Sequence, residues 1–350
     1  MEKVLMKGNE AVAEAAIMAG CKHFFGYPIT PQNELAAYMS SRMPQVGGVY
    51  LQAESEIGAI NMVIGASATG VRTMTSSSSP GIALKSEGLS YLAGCDLPAV
   101  LVNIQRGGPG LGTIQPSQAD YFLAVKGGGH GDFYQVVLAP QSVQEMVDHT
   151  FAAFDIADRY RVTVMILADG ILGQMMEPVS FNVPESKNLP DKNWAVTGTK
   201  NKRSKNIISS LFLVPEVLEQ VNVDRFKRYD EIKKNEVRCE EYKMDDAEVC
   251  IVAYGAAARV SKNAVKMARA KGIKAGLIRP ITLWPFPTET LLKAADKVKA
   301  FTVVEMSMGQ MIEDVELATR CKKPVFFHGR AGGTVPSPDD ILATMEEALQ

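Results

Sequence analysis

Short, mostly apolar runs alternate with helix-forming segments along nearly the whole chain. This alternation constrains the fold more than any other feature. HFFG (23–26), VYLQ (49–52), VRTMT (71–75), AVLVNIQ (99–105), 135–138 and 162–168 read as strands. Segments 8–19, 33–42, 55–68, 82–93, 142–159 and the stretch around 117–125 read as helices. Strands without polar alternation are covered on both faces, and a helix between successive strands makes them parallel. The expected fold class is therefore α/β, with doubly wound, mainly parallel sheets.

A second unit follows the same rule. Segments 248–255, 274–280, 301–306 and 324–329 read as strands, with helices at 257–271, 288–296 and 309–320. At 350 residues the chain has room for two domains. The expected division is a first domain at 1–184, a charged connector at 185–245 and a second domain at 246–350. SKNLPDKNWAVTGTKNKRSKN reads as polar loop, and VDRFKRYDEIKKNEVRCEEYKMDD as an exposed helix. A solvated connector is expected there, in preference to a partner-binding arm.

Composition narrows the function classes. A formal net charge of −2 gives no general attraction to nucleic acid or anionic membrane. No apolar run is long enough to span a bilayer. MEKVLMKGNE lacks the apolar core of a signal peptide, so a cytoplasmic location is expected. Cys21, Cys95, Cys239, Cys250 and Cys321 form no metal-binding spacing and read as free thiols.

In an open α/β sheet, ligands bind beyond the carboxyl ends of the strands. Four loops of this chain stand there. They hold Tyr27-Pro28-Ile29-Thr30-Pro31, Glu54-Ser55-Glu56, Ser76–Ser79 with Pro80-Gly81, and Arg106-Gly107-Gly108. Each has an ordinary local explanation. Glu56 complements a helix dipole. Arg106 can pair with a neighbouring acid. Thr30 can open the next helix. Ser76–Ser79 open a helix whose amides can hold an anion, though no phosphate-loop motif is present. HExxH and GxSxG are also absent.

Together the loops carry more. GYPITPQNEL, QAESEIGAINMVIGASATG, TMTSSSSPGIALKSEGLSYLAG and VNIQRGGPGLGTIQPSQAD resemble the alpha subunit of 2-oxoacid:ferredoxin oxidoreductases. KGGGHGD and ILADGILGQMMEPV continue the likeness, which covers nearly the whole chain. It is nearest to the branched-chain type, which acts on 3-methyl-2-oxobutanoate. The resemblance implies a pyrimidine-binding domain for thiamine diphosphate, followed by a domain like the C-terminal domain of transketolase. It implies a thiamine diphosphate shared with a beta subunit, and Mg²⁺ and 4Fe–4S clusters on partner subunits. It also implies gamma and delta (ferredoxin-like) subunits, ferredoxin as electron acceptor and coenzyme A as co-substrate. The chain lacks the GDG…N pattern that holds Mg²⁺–diphosphate; Ala168-Asp169-Gly170 is a partial echo.

The same resemblance implies residue roles. Glu56 matches the glutamate that bonds N1′ of the aminopyrimidine and favours the 4′-imino form that deprotonates C2. Glu54, two residues away, is the alternative. Arg106 matches the arginine that holds the substrate carboxylate, and Thr30 the threonine that hydrogen-bonds the substrate. Tyr27, Pro28, Ile29, Ser78 and Ser79 are expected at the cofactor, and Gly107 and Gly108 at the substrate. No metal ligand is expected on this chain. Leu111 and Ile114 are expected to favour a branched apolar tail. A 2-oxoglutarate or pyruvate enzyme of the same family is the alternative within enzymes. A non-catalytic scaffold that docks the beta subunit is the alternative outside them.

Overall fold

The structure is a computed structural model of the chain and describes residues 3–126, 128–184 and 189–349. The start of the expected connector (185–188) and Gly127 of KGGGHGD lie outside the described residues. In chain order the strands are β1 (Val4–Lys7), β2 (His23–Gly26), β3 (Val49–Gln52), β4 (Thr73–Ser77), β5 (Ala99–Gln105), β6 (Val136–Leu138) and β7 (Thr163–Asp169). They continue with β8 (Met176–Val179), β9 (Cys239–Tyr242), β10 (Val249–Ala253), β11 (Ala275–Pro280), β12 (Thr282–Trp284), β13 (Ala300–Glu305) and β14 (Val325–Gly329).

A seven-stranded sheet runs β12-β6-β7-β5-β4-β2-β3, and a five-stranded sheet runs β14-β13-β10-β11-β9. Strands β2 to β7 of the first sheet pair in parallel, as do β10, β11, β13 and β14 of the second. β4, β5, β6 and β7 are buried along their whole length, as their lack of alternation requires. β3, at the sheet edge, is the exception: Val49 and Leu51 are exposed.

The strand order reverses beside β2. The chain steps from β2 outward to β3, then returns to the other side of β2 with β4 and β5. Such a switch point opens a crevice at the carboxyl ends of the flanking strands. The YPIT loop leaves β2 there, Glu56 follows β3, Ser78 follows β4 and Arg106 follows β5. Ser76 Oγ donates to Gln32 Oε1 at 2.6 Å and ties the two sides of the switch together.

Several elements depart from expectation. The strand expected at 71–75 runs Thr73–Ser77, because Ser76 and Ser77 pair with Val102 and Asn103 of β5. The single helix expected at 82–93 is two, Ser79–Leu84 and Ser86–Gly94, which meet at Lys85. The helix expected around 117–125 is shorter, Tyr121–Val125. Helix Pro215–Asn235 starts earlier than expected and buries Arg225, Tyr229 and Ile232. CEEY leaves that helix as strand β9, antiparallel to β11. β1 and β8, a two-stranded antiparallel pair, and helix Pro338–Glu347 were not anticipated.

The two sheets are stitched together. β12 leaves the second unit to pair antiparallel with β6. Gln118 donates to the Tyr254 carbonyl at 2.8 Å and accepts from the Met306 amide at 3.0 Å. Arg279, 2% exposed, pairs with Glu145 at 2.9 Å and Glu240 at 2.7 Å.

Candidate active site

Ser55 caps helix Glu56–Ala68, its side chain accepting from the Gly58 amide at 3.1 Å. This makes Glu56 the first helical residue, where amide dipoles favour a carboxylate. Glu56 is buried at 6% exposure. Its carboxylate lies against the backbone of helix Ser79–Leu84. A Cβ at Gly81 would stand 2.6 Å from Glu56 Oε1 and 2.1 Å from Ser77 Oγ, so only glycine leaves this space open. Glu54 lies over Gly58 instead.

The adjoining strand β4 and the helices that follow it carry polar atoms without protein partners. The hydroxyls of Thr75, Ser77 and Ser78 and the ammonium of Lys85 are buried and unpaired. Buried polar groups ordinarily find partners, and a concentration of unpaired ones marks a polar ligand's place. A planar ring bearing donors and acceptors suits the Gly81 cradle, the Glu56 carboxylate and these donors. The aminopyrimidine of thiamine diphosphate is such a ring.

Arg106 and Thr30 are joined. Arg106 Nη1 donates to the Thr30 carbonyl at 3.0 Å and Nη2 to the Leu111 carbonyl at 3.3 Å. Nε is buried without a partner. The Thr30 hydroxyl accepts from Asn33 Nδ2 at 3.3 Å. Tyr27 is half-buried and its carbonyl accepts from Gln32 Nε2 at 3.3 Å; Pro28 is exposed and Ile29 half-buried.

Ser78 and Ser79 differ in what they do. The Ser78 hydroxyl is unpaired. Ser79 Oγ accepts from the Arg106 amide at 3.0 Å and donates to Asp120 Oδ2 at 2.6 Å. It thereby links the loops after β4 and β5. Burial raises the Asp120 carboxyl above its ordinary range, and bonds from Ser79 and Asn103 partly restrain it.

A cavity of about 570 Å³ opens between the two units. Arg106, Gly107, Gly108, Ser79 and Asp120 line one side, and Ser307, Met308, Gln310 and Gly332 the other. A Cβ at Gly107 would meet Thr113 at 2.7 Å, whereas Gly108 has open space. Glu305 fixes the far wall by accepting from the amides of Gln310, Met311 and Ile312. Burial raises the Glu305 carboxyl, against the pull of these amides. Glu56, Thr30 and Tyr27 do not line this cavity. Thr30 joins it through Arg106, while Glu56 stands across helix Ser79–Leu84. Leu111 and Ile114 are exposed, so this chain by itself forms no pocket from them.

Residues 14–242 match the family described as pyruvate flavodoxin/ferredoxin oxidoreductase, thiamine diphosphate-binding. Residues 247–341 match pyruvate:ferredoxin oxidoreductase core domain II. The chain belongs to the 2-oxoacid:ferredoxin oxidoreductase family. It is 51% identical to the ketoisovalerate oxidoreductase subunit VorB of Methanothermobacter marburgensis, covering 99% of this chain and 98% of that protein. It is 37% identical to the 2-oxoglutarate synthase subunit KorA of Methanocaldococcus jannaschii, over 97% and 98%. The solved 2-oxoglutarate:ferredoxin oxidoreductase of Magnetococcus marinus, with 2-oxoglutarate, coenzyme A and succinyl-CoA bound, superposes with a TM-score of 0.88 at 28% identity. All of this chain is covered, and it spans 66% of that longer chain. A split-gene transketolase at 16% identity and TM-score 0.63 shares the fold.

The family's relatives carry the word subunit in their names, so the oxidoreductases they form have further subunits. Among the described residues no helix is long and apolar enough to cross a membrane. Lys85, Asp120 and Gln118 were not foreseen as part of this region. Lys85 alone had a signal: its charge interrupts the apolar spacing of Ile82 and Leu89, where a solvated face would have more polar neighbours.

Proposed function

We propose that this chain is the alpha subunit of an oxidoreductase that decarboxylates a branched-chain 2-oxoacid, taken as 3-methyl-2-oxobutanoate. Coenzyme A receives the acyl group and ferredoxin the electrons. The observation that carries the substrate class is the charge of the cavity. Among the described residues lining it, Arg106 is the only cation, and Pro80, Ala83, Leu123 and Met308 supply apolar surface. One carboxylate and a short apolar tail match this lining. A second carboxylate, as in 2-oxoglutarate, has no counter-charge there. The half-identity to ketoisovalerate oxidoreductase subunits supports the same substrate.

Thiamine diphosphate supplies the electron sink for decarboxylation when bound. The chain's residues do the rest of the work assigned to this half of the site. Glu56 shares a proton with N1′ of the aminopyrimidine. Ser77 and Ser78 offer hydroxyls toward the ring, and Tyr27, Pro28 and Ile29 flank it. Arg106 takes the substrate carboxylate by charge-assisted hydrogen bonds, using donors released from the Leu111 carbonyl together with Nε. Thr30 sets the guanidinium through its carbonyl. Mg²⁺, the diphosphate site and the 4Fe–4S clusters belong to beta, gamma and delta subunits.

The test is a rate comparison in the assembled complex with coenzyme A and ferredoxin. The specificity constant for 3-methyl-2-oxobutanoate should exceed those for 2-oxoglutarate and pyruvate by at least about tenfold. A complex that prefers 2-oxoglutarate would move the substrate's distal group to cations of a partner subunit.

A further inference from the structure

Gly81, Lys85 and Gly88 lie four and three residues apart along the broken helix Ser79–Leu84 and Ser86–Gly94. Residues at such spacing share a face. Gly81 meets Glu56, and a Cβ at Gly88 would stand 2.5 Å from Ile60, one turn further along helix Glu56–Ala68. The two glycines bring the elements into close contact, and Lys85 stands between them. It is 0% exposed, and its ammonium has no hydrogen-bond partner. An ammonium in that state is costly, and a methionine of similar length would pack without the penalty. Packing therefore gives no account of Lys85.

Charge does. The Lys85 ammonium is drawn to the Glu56 carboxylate, although burial pushes its own pKa down to about 8. Other charged groups on the surrounding elements are committed or distant. Glu87 accepts from the Tyr91 hydroxyl at 2.7 Å. Arg72, ahead of β4, pairs with Asp155 and Asp158. His23 stands at the opposite end of β2, and Glu54 lies over Gly58.

We propose that Lys85 is a positioning residue for the thiamine chemistry: its buried ammonium, set between Gly81 and Gly88 on the face that meets Glu56, biases the proton shared between that carboxylate and the aminopyrimidine toward N1′. This rests on the assignment of Glu56 to N1′. A proton on N1′ rather than on Glu56 favours loss of a proton from the 4′-amino group, the step that readies C2 for deprotonation. Burial strengthens the bias, because both side chains lie away from bulk solvent, where charges are screened less.

Lys85→Met, Lys85→Gln and Glu56→Gln are compared in the assembled complex. The readouts are hydrogen–deuterium exchange at C2 of bound thiamine diphosphate, cofactor content, the pH profile of kcat/KM and the thermal midpoint. Lys85→Met should keep its cofactor, slow C2 exchange and turnover at least tenfold, and move the acidic limb of the profile up by about one pH unit or more. Its thermal midpoint at pH 7 should stay close to wild type, since the relieved desolvation of the ammonium offsets the counter-charge that Glu56 loses. Lys85→Gln, which keeps a donor and loses the charge, should behave as Lys85→Met does. Wild-type exchange and an unmoved acidic limb in Lys85→Met, beside a slow Glu56→Gln, overturn the role of Lys85 alone. Normal exchange in Glu56→Gln overturns the Glu56 assignment itself. Restored activity in Lys85→Gln shows a hydrogen bond rather than charge and overturns the proposal. So does a Lys85→Met complex that loses affinity for thiamine diphosphate but exchanges normally once loaded, which makes Lys85 a cofactor grip.

Discussion

Arg106 Nη1 donates to the carbonyl oxygen of Thr30 at 3.0 Å, so the loops after β5 and β2 are bound together through the guanidinium. The residue assigned to the substrate carboxylate is thus also a clasp between two loops of the site. A substitution at Arg106 tests both roles, and they separate by readout.

Arg106→Lys keeps the charge and loses the planar fork. In the assembled complex it should raise KM for the 2-oxoacid and lower kcat/KM about ten- to 150-fold, the loss of one charge-assisted bond. Cofactor content should hold. Folding stability should fall by the worth of a hydrogen bond to a backbone carbonyl, about 1 kcal/mol, and the thermal midpoint with it. Unchanged kinetics with a lowered midpoint would leave Arg106 as a clasp only.

Glu56→Gln preserves size and cannot carry the proton. Turnover should drop about 10²–10⁴-fold while thiamine diphosphate content stays near wild type. A fully active variant would send the search to Glu54 first.

Gly81→Ala probes the cradle. The new methyl would stand 2.1 Å from Ser77 Oγ and 2.6 Å from Glu56 Oε1, so both must move. Overpacking of this kind costs about 1–3 kcal/mol, and the helix gains back about 1 kcal/mol from alanine. The net loss of stability should be about 0–2 kcal/mol, and turnover should fall further than that loss accounts for. Denaturant unfolding beside steady-state kinetics measures the two.

Arg279→Met should weaken the join between the units. It breaks the pairs with Glu145 and Glu240 and should cost about 2–4 kcal/mol in thermal or denaturant unfolding. Burial tends to raise the Glu240 carboxyl, but bonds from Lys262 and Arg279 outweigh it and hold the group below its ordinary range. A depressed carboxylate contributes stability above its unfolded-state value of 4.5, and that contribution is lost as pH falls through the lower native value. The variant should therefore lose less stability than wild type as the pH is lowered from about 5 to 3.

The chain purified alone should show no oxidoreductase activity and no visible cluster absorbance. Its five cysteines are scattered through both units, and the proposed diphosphate site lies on a partner. A brown, active preparation of this chain would overturn the division of labour.

The parallel sheets were legible in the sequence because a buried parallel strand leaves a plain signature, an unbroken apolar run between two helices. AVLVNIQ and the run at 162–168 show it. Strands stabilised by polar pairing gave no such signal. Ser76 and Ser77 looked like turn and are strand, because the β5 ladder satisfies their backbones and buries their hydroxyls. β12 is three residues long and becomes a strand only because β6 offers its edge.

The sequence by itself determined which loops follow which strands, and so that Thr30, Glu56, Ser78 and Arg106 come to one edge of one sheet. Chain order and helix starts are local properties, written in apolar spacing and capping residues. Only the tertiary structure decided what those residues face. Arg106 grips the Thr30 carbonyl, Ser79 is spent on Asp120, and Lys85 lies buried beside Glu56. The two hydrogen bonds join residues 76 and 41 apart in the chain, where packing distance rather than sequence spacing sets which groups meet.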